Sequence, residues 1–150
     1  MKKFFLIIFA ALLMTGCVEN SQATPNEIKE TIPMKNSFTV QVNGKNFSIT
    51  PEDNLTARAF AEMLPLEVEM NELNGNEKFC YLEKNLPSDA VRVKQIHAGD
   101  LMLFGSDCLV IFYKDFVTSY SYTRLGRINN PDDLEKIFGT GNVRVSFLKN

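Results

Sequence analysis

The sequence predicts a mainly β domain, a small barrel or sandwich of about eight strands with two short helices. Three observations lead there. Short segments that alternate apolar and polar residues recur between turn signals. Two apolar runs, Leu101–Phe104 and Leu109–Tyr113, are too short for buried helices and read as central strands. Nothing has the strand–helix–strand rhythm of a parallel fold. With 150 residues, 45% of them hydrophobic and 23% charged, the chain has material for one domain with a real core and too little for two of ordinary size.

Each element has its own warrant. Phe38, Val40 and Val42 alternate with polar residues, Asn43-Gly44 supplies the positive φ angles of a tight hairpin turn, and Phe47 and Ile49 resume the alternation. Pro51-Glu52-Asp53-Asn54 starts a helix of about ten residues, in which Leu55, Ala59, Phe60 and Met63 share a face and which Pro65 stops. Leu66, Val68 and Met70 alternate with Glu67, Glu69 and Asn71, and Asn74-Gly75-Asn76 turns that strand toward Lys78–Leu82. Residues 83–98 alternate weakly, at Val91 and Val93, and form the long connection where a binding loop is expected. His97-Ala98-Gly99-Asp100 turns into the two apolar runs, which Gly105-Ser106-Asp107 joins. A strand from Tyr120 to Leu125, a short helix over Pro131–Phe138 and an alternating strand at Val143, Val145 and Phe147 complete the domain.

The first residues carry an address. Lys2 and Lys3 precede an apolar stretch from Phe4 to Met14, which is shorter than the roughly 20 residues a spanning helix needs, and Thr15-Gly16-Cys17 follows. Leu13-Met14-Thr15-Gly16-Cys17 resembles the bacterial lipobox, which implies acylation of the Cys17 thiol and cleavage before it. More than one acyl chain on one residue gives stable anchoring. Residues 1–16 are thus expected to be a lipoprotein signal peptide, 17–36 a polar tether with Pro25 and Pro33, and 37–150 the folded domain. The expected place is the cell envelope outside the cytoplasm. The partners expected are the membrane, through the lipid, and a peptide, a protein or a small molecule. With 16 basic against 18 acidic residues, no excess positive charge exists to neutralise phosphates, so nucleic acid is not expected.

Several stretches resemble a bacterial cyclophilin-like family: Asn43-Gly44, Leu55–Ala61, Leu73–Lys78, Ile96–Leu101 and Ser119–Arg127. The resemblance covers nearly all of residues 37–148. It implies a closed β-barrel of about eight strands with two short capping helices, and no activity defines the family. True cyclophilins share a Phe-His-Arg strand motif whose arginine aids rotation about the proline bond, and a downstream Trp or His. Phe-His-Arg does not occur in this sequence, which has no Trp and whose single histidine follows Ile96 in a turn. A shared fold is a weak warrant for shared chemistry.

Candidate chemistry is sparse. His97 and Asp100 suit backbone bonds within their own turn, and no Gly-x-Ser-x-Gly elbow marks a serine for them to activate. No catalytic set, metal site or cofactor is assigned, since one His and two distant cysteines are poor ligand material. Cys80 and Cys108, both in apolar strands, read as buried free thiols, with a cross-strand disulfide as the alternative. The most suggestive group is tyrosine with arginine. Period-two geometry puts Tyr120, Tyr122 and Arg124 on one strand face, where phenols and a guanidinium suit a peptide, an acidic small molecule or a sugar. Tyr81, Tyr113, Arg58 and His97 are expected to join them at the barrel mouth. The reading that follows is a lipid-anchored binding or accessory module without catalysis. The alternatives are a divergent peptidyl-prolyl isomerase and a structural envelope lipoprotein.

Overall fold

In the computed structural model, which describes residues 37–150, Asn43 and Gly44 both take positive φ, 48° and 75°. A turn of that hand follows the twist of its flanking strands. It joins β1 (Phe38–Val42) to β2 (Lys45–Pro51), with Phe38 opposite Ile49 and Val42 opposite Lys45. Asn54 then caps α1 (Leu55–Glu62), its side-chain oxygen accepting from the Ala57 N–H at 2.8 Å. A second turn of the same hand at Asn74 and Gly75 links β3 (Leu66–Leu73) to β4 (Glu77–Tyr81). After the long connection, which holds β5 (Val91–Arg92) and β6 (Gln95–Ile96), come β7 (Asp100–Phe104) and β8 (Cys108–Phe112). The chain ends with β9 (Phe116–Val117), β10 (Ser121–Ile128), α2 (Leu134–Phe138) and β11 (Val143–Lys149).

The strand order β2-β1-β11-β3-β4-β8-β7-β10 returns to β2, so eight antiparallel strands form a closed barrel. Closure removes the free edges that an open sheet would expose. The seam pairs Gly126 with Pro51, Arg127 with Thr50 and Ile128 with Ile49. A register shift at Leu125, between the Arg124–Met102 and Gly126–Leu101 pairs, bends β10 off β7 and onto β2. Gly126 is required at that bend, because a Cβ there would lie 2.7 Å from the Thr50 carbonyl oxygen and 3.0 Å from Ile49 Cγ2. The sequence reading ends this strand at Leu125; the structure carries it three residues further, to Ile128, and those residues make the closure.

Both barrel ends are plugged. At one end α1 inserts Phe60 against Phe38 and Phe147, with ring centroids 5.7 and 5.2 Å apart. At the other, Phe138 of α2 packs on Tyr113 at 5.8 Å. Beside that plug lies Lys78, fully buried. Its ammonium pairs with Glu72 and donates to the carbonyl oxygens of Gly139 at 3.0 Å and Gly141 at 2.6 Å. Tyr113 Oη donates to the same Glu72 carboxylate at 2.7 Å, and the Gly75 N–H does so at 2.9 Å. Burial pushes the Glu72 pKa up, but these donors and the Lys78 charge outweigh it and hold the carboxyl below its ordinary value.

The seam supplies a test. Gly126→Ala forces backbone apart at the closure and is expected to destabilise the fold by about 2–4 kcal/mol in chemical denaturation. Gly141→Ala, where no atom lies within 4 Å of the added carbon, is the control and should change stability by less than about 0.5 kcal/mol. Equal effects of the two changes would show that the seam is not tight.

Candidate functional site

Strands β7 and β8 are apolar on both faces. Leu101, Leu103, Leu109 and Ile111 fill the barrel, while Met102, Cys108, Val110 and Phe112 point outward and are buried as well. An outward apolar face needs a cover. A two-stranded flap provides it: β6 and β9 pair outside the barrel, Ile96 is fully buried beneath them, and Phe116 stacks on Phe112 at 5.5 Å. Tyr122 of β10 closes the other flank, its ring perpendicular to Phe112 at 5.4 Å and tilted against Phe104 at 5.6 Å.

The cover is incomplete. Between the flap and the outward face of β4 lies a cavity of about 630 Å³, within the roughly 300–1,000 Å³ of small-molecule sites. Alternation on β4 sends Glu77, Phe79 and Tyr81 to this side and Lys78 and Cys80 to the barrel interior. Phe104, Tyr120 and Tyr122 line the cavity from the opposite strands, and Asn74 and Asn76 from the hairpin turn.

Its polar groups are unevenly served. Glu77 is only 9% exposed, yet its carboxylate has no hydrogen bond and no ion pair among the described residues. Burial, with the Glu72 charge second, raises its pKa from 4.5 to about 6. The Asn76 Oδ1 atom is buried with no partner. Burial first, with Glu77 nearby, pushes the Tyr122 phenol up to about 12, so it stays a neutral donor. Cys108 is pushed up to about 11 by burial, then by the Asp107 and Glu77 charges, which keeps its thiol protonated and unreactive. Among the described residues, no Lys, Arg or His lines the cavity.

Residues 40–148 match the model of the cyclophilin-like family. The chain belongs to that family. Among solved structures it is similar to the hypothetical protein AF2241 from Archaeoglobus fulgidus, in solution, at 17% identity and a TM-score of 0.53 over 79% of this chain and 97% of the other. That likeness is one of fold. No curated protein matches the chain.

The cyclophilin-like barrel divides the residues that the sequence singles out. Tyr81, Tyr120 and Tyr122 meet at the cavity. Arg124 shares the outward face with Tyr122, opposite Met102, but turns toward the buried Asp100, with Nη1 at 3.9 Å from the carboxylate. His97 also belongs to Asp100: its N–H donates to Oδ2 at 2.9 Å and Nδ1 lies 3.9 Å away. Tyr113 faces the interior at the plugged end, and Arg58 sits on α1 paired with Asp53. So Arg58, His97, Tyr113 and Arg124 do not line this cavity, which lies outside the barrel wall and not at the expected barrel mouth, where α1 and α2 pack. Cys80 and Cys108 are free and face opposite sides of the wall, Cys80 inward and Cys108 outward, so the cross-strand disulfide is not formed.

The long connection is no open loop. Leu82 and Leu86 are buried, the Leu86 N–H donates to the Ser106 carbonyl at 2.7 Å, and the Asp89 N–H donates to Thr123 Oγ1 at 2.9 Å. Its contribution to the outer layer is β6. Residues 1–36, which include the leader, Cys17 and the tether, lie outside the described residues.

Glu77 makes this site measurable without a ligand. A carboxyl whose pKa is raised on folding destabilises the fold once pH exceeds the folded pKa and is neutral in effect below the unfolded one. Glu77→Gln is therefore expected to stabilise the protein by about 1–2 kcal/mol at pH 8, a gain that shrinks as pH falls through 6 and vanishes near pH 4. Denaturant melts at both pH values check it; a loss of stability at pH 8 would mean that Glu77 has a partner.

Proposed function

We propose that this protein is a lipid-anchored binding module of the cell envelope, acting outside the cytoplasm, which holds a small ligand in the groove between barrel wall and flap without covalent chemistry. The observation that carries the reading is Glu77: a residue only 9% exposed, whose carboxylate has no partner among the described residues and which lines a cavity of ligand size. Such groups weaken a fold and persist where they serve a site. The plugged ends leave the barrel interior no room for a ligand, and the groove's thiol is protonated. The anchor rests on the lipobox-like Leu13–Cys17, and the tether gives the domain reach from the bilayer.

Two arms test the proposal. In the full chain made in a bacterial host, Cys17→Ser is expected to move the protein from the membrane fraction to the soluble one; retention in the membrane would defeat the anchor. In an NMR screen of small aromatic fragments, the resonances that shift are expected to cluster at Phe79, Tyr81, Tyr120 and Tyr122. Shifts confined to Phe60 and Phe138, at the two plugs, would defeat the groove.

A further inference from the structure

We propose that the groove takes an organic cation, an N–H-bearing ammonium on an apolar body, with Glu77 as the counter-ion and aromatic rings around the charge. The inference rests on the groove being the ligand site and deepens it to a chemical class.

Charge is the first argument. Among the described residues, Glu77 is the one ionised group expected in the lining at neutral pH, and no basic residue lines the groove with it. Three cations on β4 and β10, strands that line the groove, have partners elsewhere. Lys78, the next residue, points to the other side of the wall and spends its ammonium on Glu72 and two carbonyl oxygens. Arg124 and Arg127 approach Asp100, at 3.9 and 4.0 Å. A positive ligand would give the Glu77 carboxylate an opposite charge; an anion would meet repulsion, and a neutral donor could give it a hydrogen bond without that charge.

The rings are the second argument. Phe79 and Tyr81 stand edge to face with centroids 6.0 Å apart on one side, and Phe104 with Tyr120 at 6.0 Å and Tyr122 at 5.6 Å on another. Aromatic faces carry negative charge density and attract a desolvated cation, while the same surfaces shelter its apolar body. A carboxylate accepts a strong, charge-assisted hydrogen bond from an N–H, so Glu77 favours a cation with a proton to donate over a quaternary one.

The test uses four probes of one shape on the folded protein: 2-phenylethylamine, its N,N,N-trimethyl derivative, 2-phenylethanol and 3-phenylpropionate, each followed by NMR shifts of the groove residues. The primary amine is expected to bind at least tenfold more tightly than the alcohol, the trimethyl compound to bind more weakly than the amine, and the carboxylate to bind weakest. Glu77→Gln, which leaves the rings in place, should erase the difference between amine and alcohol. Alcohol or carboxylate binding as tightly as the amine overturns the cation while leaving the groove as a site. A trimethyl compound that matches the amine overturns the need for an N–H donor. Failure of every probe to move the groove resonances overturns the groove reading and this inference together.

Discussion

A barrel wall that is apolar on both sides has to be covered twice, and the arrangement of this molecule follows from that requirement. Leu101, Leu103, Leu109 and Ile111 are covered by the rest of the barrel and by the plugs from α1 and α2. Met102, Val110 and Phe112 face the other way, and the flap of β6 and β9, with Tyr122, Phe79 and Val93, keeps water from them. Burying such side chains stabilises a fold by roughly 1.5–3 kcal/mol each, so the flap is held on by the face it covers. A two-stranded flap is too small to cover the whole wall, and the groove is what it leaves bare along β4.

Adjacent residues on β4 carry charges that are served very differently. Lys78 points inward, is fully buried, and has Glu72 and the carbonyls of Gly139 and Gly141 as partners. Glu77 points outward, is almost as deep, and has none among the described residues. Breaking the first pair would strand a buried charge, which is strongly destabilising. The second has no such partner to lose. Satisfied buried polar groups are the rule, and the proposed function is built on this exception.

Much of the fold was legible in the residues. Asn43-Gly44 and Asn74-Gly75 announce their turns because few residues accept positive φ, and the runs at 101–104 and 109–113 read as buried strands because length excludes helices. The family resemblance led to the closed barrel, and the family match over residues 40–148 agrees with it. The site was legible only in part. Period two put Tyr122 and Arg124 on one face, as the structure does, but the direction in which a long side chain leans is set by a partner distant in sequence, and Asp100 draws Arg124 away. Glu77 carried a signal that was open to reading: Glu77, Phe79 and Tyr81 share a face by alternation, and an apolar run buried on both sides implies an outer layer for that face to meet. What no local pattern supplies is the absence of a partner, which depends on every element packed around the residue.

The account rests on one carboxyl being buried, ionisable and unpaired in the groove. Site-resolved NMR titration of the Glu77 side chain in the free protein measures that state directly. A midpoint near 6, well above the ordinary 4.5, with Glu72 titrating below its ordinary value, is the expected result. A Glu77 midpoint at or below 4.5 would mean that the carboxylate is solvated or already paired, and would contradict the account.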